Sequence, residues 1–344
     1  MAEITYLLGA GASYHCLPIV SEMRNKIGGA IKWFREEYNK AFLFSIDGKI
    51  VVPEGHEKIQ NIISDLEWLQ RICDTSRNFS VDTYARKLDL SGNTNDYIKL
   101  KNILSFYFTL EQKRNPPDVR YDNFWASILK SRQKFPNNIK ILSWNYDFQL
   151  ELTYADFLAY DSLKIARETL NISSQETEFI HLPDPGKFGI FKLNGSATFN
   201  TNSMENRDTT YFVDKFKTSS TSDFIISLTE AYEKLCSTPR VHINHLTFAW
   251  EHQTDNLFYR HLKESICNTE ILVVIGYSFP FFNRDIDKLI LKDFMGESLK
   301  KVYFQAPEVD VEDIKERFLA INDRADLQLV LRKDIKQFTL PNEL

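Results

Sequence analysis

Apolar positions along this chain fall into short unbroken runs separated by longer stretches of helical spacing. The runs are Ile4–Leu8 (ITYLL), Ile139–Ser143 (IKILS), 188–193 (FGIFKL), Ile271–Ile275 (ILVVI), 302–305 and 327–331. Each is too short for a helix, rich in β-branched or aromatic residues, and closed by a turn residue. That is the pattern of a strand buried on both faces of a parallel sheet. Between the runs, helices are predicted from Pro18 through Met23 and Ile27, over 121–135 up to Pro136, over Leu257–Ile266, from Asp285 to Phe294, and over 311–318. Apolar strands alternating with helices predict an α/β, Rossmann-type, mostly parallel sheet with helices on both faces.

Residues 34–119 break this rhythm. A hairpin is predicted over 44–52 with Asp47-Gly48 at its turn. Helical spacing then runs over 61–73 (Ile62, Ile63, Leu66, Leu69, Ile72), 81–90 and 97–110, and Asn115-Pro116-Pro117 closes the block. It reads as a mainly helical insertion into a core formed by 1–33 and 120–344, the whole making one domain. Its aromatics Phe79, Tyr84, Phe106, Tyr107 and Phe108 are expected in its core. Residues 200–222 are polar and read as a loop or a partly mobile lid, and 240–248 as a strand pair or an extended segment.

Composition narrows the class. A net charge of −5 argues against a surface built to grip phosphate backbones, so no direct nucleic-acid binding is expected. Cys16, Cys73, Cys236 and Cys267 form no C-x-x-C pair, so neither a zinc ribbon nor a disulfide framework is expected. The start Met1-Ala2-Glu3 leads straight into an apolar strand, without the basic region of a secretory signal. No apolar run is long enough to span a bilayer. A cytoplasmic protein without a membrane partner is expected.

Candidate chemistry collects at strand ends, where ligands of open parallel sheets bind. Gly9-Ala10-Gly11-Ala12-Ser13 follows the first strand. Glycines there permit a tight turn and close approach of a pyrophosphate, a following helix would supply free N–H groups, and Ser13 adds a hydroxyl. A G-x-G alone is also an ordinary strand-to-helix turn. Ser143-Trp144-Asn145-Tyr146-Asp147 ends the second run: Asn145 offers a donor and an acceptor to a ribose or amide, while Asp147 could orient Asn145 or cap the next helix. Lys192-Leu193-Asn194-Gly195-Ser196 ends the third. Gly276-Tyr277-Ser278-Phe279-Pro280 ends the fourth, with Asp285 and Asp287 beyond. His15 lies just after the glycine loop, within reach of a ribose, and His181 in a loop before the third run. His242, His245 and His252 cluster near an extended segment, and the His242/His245 spacing suggests a metal pair, but no acidic or Cys partner stands at a recognised spacing, so no metal is expected.

The order GAGAS at 9–13, NYD at 145–147, NGS at 194–196 and GYSFP at 276–280 resembles the SIR2-like family, particularly the SIR2-like proteins of bacterial antiphage defence. The segment 79–85 (FSVDTYA) is also similar to a stretch of such proteins. The resemblance spans about residues 4–310. It implies NAD as substrate, cleavage of the nicotinamide–ribose bond, and NAD depletion as the outcome. It assigns Gly9, Ala10, Gly11, Ala12, Ser13, Gly195, Ser196, Gly276 and Ser278 to the dinucleotide, and Asn145, Asp147 and Asn194 to catalysis. The family's catalytic His stands before the Gly-Ser, and here that position is Asn194. Asn cannot act as a base, so two outcomes follow: an NAD hydrolase that works without the His, or a subunit that only binds NAD or ADP-ribose and regulates a partner. A dehydrogenase is disfavoured, since no acidic residue follows GAGAS by about 20 residues at the end of a second strand. Family habit and the absence of a sensor region predict partners: a homo-oligomer, or a separately encoded sensor, nucleotidase or ATPase subunit.

Overall fold

The structure is a computed structural model that describes residues 1–42, 44–46, 49–51, 56–74, 80–131, 134–175, 184–201, 217, 219–238 and 242–344. Among the described residues there are eleven strands: β1 (Ile4–Leu8), β2 (Phe44–Ile46), β3 (Lys49–Val51), β4 (Ile139–Ser143), β5 (Ile172–Ser174), β6 (Gly189–Lys192), β7 (Gly195–Thr201), β8 (His242–Leu246), β9 (Ile271–Ile275), β10 (Lys301–Gln305) and β11 (Gln328–Arg332). Seven form one parallel sheet in the order β11-β10-β9-β1-β4-β6-β5. β1 lies at its middle, with Leu8 level with Ser143 of β4 on one side and with Ile275 of β9 on the other. After β1 the chain builds β4, β5 and β6 on one flank, then crosses β1 to build β9, β10 and β11 on the other. The carboxyl end of β1 is therefore the topological switch point, where such sheets leave a crevice.

The central strands β1, β4 and β9 are buried at every position because the sheet is covered on both faces, and the period-two alternation divides their side chains between two cores. Ile4, Tyr6, Leu8, Ile139, Ile141, Ile271, Val273 and Ile275 enter one core. Leu7, Leu142, Phe191, Leu272, Val274, Val302 and Phe304 enter the other, with the helices Leu257–Ile266 and Val311–Leu319.

The first core also receives α1 (Met23–Phe42), α2 (His56–Ile72), α3 (Val81–Leu90) and α4 (Thr94–Arg114). The block at 34–119 is mainly helical, and its proposed boundary at 34 falls inside α1. Ser80 starts α3 by accepting from the Thr83 N–H at 3.1 Å, and Asn93 starts α4 through the Asp96 N–H. β2 and β3 pair as the expected hairpin, with its Asp47-Gly48 turn outside the described residues. β7 turns back from β6 and pairs antiparallel with β8, and α4 braces it through Thr109, which donates to the Ala197 carbonyl at 2.8 Å.

Several expectations need correction. The helix α5 (Arg120–Ile128) stops well short of 135, because Leu129 turns extended and Ser131 pairs with Lys134. β5, β7, α6 (Gln149–Phe157), α7 (Leu163–Thr169) and the helix Thr221–Ser237 were not anticipated. Most of the polar stretch at 200–222 lies outside the described residues. The segment after GAGAS is not a continuing helix: Ala10–Ser13 form one 3-10 turn, Pro18 sits in the connection, and α1 begins only at Met23.

Candidate functional site

The carboxyl ends of β9, β1, β4 and β6 lie side by side. At strand spacing they span roughly 14 Å, about the length of an extended dinucleotide. They open into a cleft of about 1140 Å3 measured out to its open mouth. Gly9, Ala10, Ser13, Asn145, Asp147, Asn194, Gly276 and Ser278 line it. Gly11, Ala12, Gly195 and Ser196 lie outside that lining.

The glycine loop is built by close packing of two turns. Gly276 has φ +58°, and a Cβ placed on it would stand 2.4 Å from the carbonyl carbon of Gly11. A Cβ on Gly9 would stand 2.5 Å from Cα of Tyr277. Gly9 N donates to the Ile275 carbonyl at 3.0 Å, Gly11 N to Gly276 at 2.9 Å, and Ala12 N to Gly9 at 2.8 Å. The amides of Gly9, Gly11 and Ala12 are therefore spent within the protein, and the missing side chains of the glycines let the two turns pack in contact. The dipole of a long helix is absent here too. What remains for an anion is the exposed tip at Ala10 and the Ser278 hydroxyl, with the Ser13 hydroxyl at the cleft wall already engaged by neighbouring side chains. Beside Ser278, Phe279 holds φ +49°, a left-handed conformation that is strained for a bulky side chain. Arg120 braces the loop from behind, donating to the carbonyls of Gly11 at 3.1 Å and Ala12 at 3.0 Å while paired with buried Asp118.

Asn145 is oriented by that same loop. Its Nδ2 donates to the Gly9 carbonyl at 2.9 Å and reaches Ser13 Oγ at 3.4 Å, and Ser13 Oγ meets the Tyr121 hydroxyl at 3.1 Å. Asp147 does not hold Asn145: its Oδ1 accepts from the Gln149 N–H at 3.1 Å, at the start of α6. Burial pushes the Asp147 carboxyl above the usual range, opposed by Lys192 and by the Ser13 hydroxyl. Lys192 is fully buried, donates to the Asp147 carbonyl, and stands 3.3 Å from Glu151, which also pairs with Arg167 at 2.9 Å. This buried ionic group fixes the turn that carries Asn145. Asn194 is 7% exposed; its Nδ2 approaches the Tyr146 hydroxyl at 3.4 Å, and its Oδ1 has no hydrogen-bond partner among the described residues. An Asn so placed can accept a hydroxyl hydrogen bond from a ligand.

The rest of the lining escaped the sequence. Trp144 stacks on Tyr277 with ring centroids 6.0 Å apart, and Tyr277 donates to Asp287 at 2.8 Å. Tyr146, Phe248, Trp250 and Phe108 add further aromatic wall. Phe108 thus belongs partly to the cleft, while Phe106 and Tyr107 are buried as expected, Tyr84 packs partly buried against the core, and Phe79 is outside the described residues. Asp82 also lines the cleft, carried there by the first turn of α3. Burial raises its carboxyl to about 6. The only sequence signal for it was the similarity over 79–85, which named no site residue.

Among the histidines, His15 is exposed beside Tyr14. His252 stacks on Trp144 at 5.9 Å behind the cleft wall, and burial lowers it to about 4. His245 is buried in β8, while His181 and the His242 side chain fall outside the described residues. Among the described residues no group of three His, Cys, Asp or Glu side chains is placed to hold a metal ion, and no helix is long and apolar enough to cross a membrane. No family model matches the chain, and no curated protein matches it.

Proposed function

We propose that the protein is a SIR2-like NAD+ hydrolase that cleaves the nicotinamide–ribose bond and acts in bacterial antiphage defence by depleting NAD+. The observation that carries this reading is the convergence of four motif-bearing strand ends, in the adjacent order β9, β1, β4, β6, on one cleft of dinucleotide length. In this scheme Ala10, Ser13 and Ser278 contact the pyrophosphate and riboses, while Gly9, Gly11 and Gly276 shape the loop. Asn145 and Asn194 hydrogen-bond the nicotinamide ribose. The C–N bond breaks with its electron pair going to the ring nitrogen, nicotinamide leaves neutral, and water attacks the ribosyl cation that remains and releases a proton to solvent. Such a step depends on positioning more than on a strong base, which is why an Asn in place of the His is compatible with turnover.

A second reading, a subunit that binds NAD or ADP-ribose without cleaving it, is favoured by Asn194 alone, since it has no proton to exchange near neutral pH. The test is nicotinamide release from NAD+ by the wild type, Asn145→Ala and Asn194→His. Release that disappears in Asn145→Ala supports the hydrolase. Release only by Asn194→His supports the binding subunit, and absence of NAD binding by calorimetry overturns both. Activation through self-association or through a separate sensor, nucleotidase or ATPase subunit completes the proposal. A gel-filtration mass of one chain with no co-purifying protein would count against that last part.

A further inference from the structure

We propose that Asp82 makes the cleft selective for the oxidised dinucleotide, by facing the positive charge of the pyridinium ring that the dihydro form lacks. The inference rests on the NAD reading of the cleft and adds a specificity determinant to it. Three observations support it. The described lining contains aromatic rings (Phe108, Trp144, Tyr146, Trp250) and no Lys or Arg. Asp82 comes from α3, outside the sheet, and makes no ion pair with any described residue. It is also close enough to Tyr146 for the two to influence each other electrostatically, and Tyr146 is the residue that Asn194 approaches at 3.4 Å.

A partly buried carboxylate without a cation is held at a cost in solvation, and a bound cation removes that cost. A pyridinium among aromatic faces and beside the Asp82 carboxylate, which has no ion-pair partner among the described residues as Asp147 has in the neighbouring Lys192, gains both attractions, whereas a neutral dihydropyridine gains neither. Together they correspond to about tenfold in affinity for a partly solvated site. The Asp82 carboxyl, raised to about 6, is still ionised around neutral pH, as this role requires. Cleavage as proposed already requires the oxidised ring as leaving group; Asp82 extends that selectivity to binding, so that the reduced dinucleotide is disfavoured in the cleft.

The experiment is calorimetric binding of carba-NAD+, whose cyclopentane ring prevents cleavage, and of its dihydro form. Wild type, Asp82→Asn and Asp82→Glu are compared at about pH 7.5, where the carboxylate is ionised. Wild type is expected to prefer the oxidised ligand by about tenfold. Asp82→Asn should lose most of that preference with affinity for the dihydro form unchanged or slightly tighter, which also shows that the variant is folded. Asp82→Glu should keep it. Equal binding of the two ligands by wild type, or an undiminished preference in Asp82→Asn, overturns the role of Asp82 and leaves the NAD reading intact. Binding of neither ligand by wild type overturns the NAD reading and this inference with it.

Discussion

Replacing Gly276 by Ala tests how the cleft is built. Gly276 lies at φ +58°, which an L residue enters at a cost of about 1 kcal/mol. The new methyl would also stand 2.4 Å from the carbonyl carbon of Gly11 and 2.5 Å from the Ala12 nitrogen. Those are backbone atoms held by the Gly11 N–H bond to Gly276 itself, so one turn must lift off the other. Overpacking of this kind costs about 1–3 kcal/mol, and the total expected loss is about 2–4 kcal/mol. Gly92 supplies the control: it has φ +68°, yet a Cβ there meets nothing within 4 Å. Gly92→Ala should therefore cost only the backbone term, about 1 kcal/mol, and the change in unfolded-chain entropy is common to both variants. Urea unfolding, with midpoints converted through a shared m-value, measures the difference. Equal losses for the two substitutions would refute the argument, since loop-on-loop contact would then contribute nothing.

Other outcomes follow from the same geometry. Lys192→Met leaves Glu151 fully buried with Arg167 as its remaining cation, and should cost about 3–5 kcal/mol, with part recovered on adding Glu151→Gln; a loss below about 1 kcal/mol would mean that the turn does not depend on the ion pair. Because Asp82 is raised in the folded state, its contribution to stability is fully present below the ordinary carboxyl value and is lost as pH rises through about 6. Asp82→Asn should flatten that part of a stability–pH curve, and an unaltered slope would refute the assignment. His252 acts in the opposite sense: its depression to about 4 gives stability that is present above the ordinary histidine value and lost as pH falls toward 4, so His252→Phe should remove an acid-side loss.

Much of the frame is legible in the chain. A strand buried on both faces is mostly apolar on both alternating sets of positions, so ITYLL, IKILS and ILVVI identify themselves, and all three are central strands. Asn145 and Asn194 also stand out, because a polar residue directly after an apolar strand marks its carboxyl end. Elements with weaker patterns were missed for a physical reason. β5 is a three-residue edge strand, and α6 is buried nearly all round, so neither shows a clear polar face.

The parallel sheet and the small polar motifs at four strand ends can be read from the chain alone, because they follow from local burial and local backbone freedom; the switch point needs the strand order. That the glycines pack loop against loop, that the Asp147 side chain holds Gln149 and not Asn145, that Lys192 lies wholly inside, and that Asp82 reaches the cleft from α3 emerges only in the folded molecule. Each depends on segments tens to hundreds of residues apart meeting in space. Periodicity reports which face of an element is buried, but not which distant element covers it.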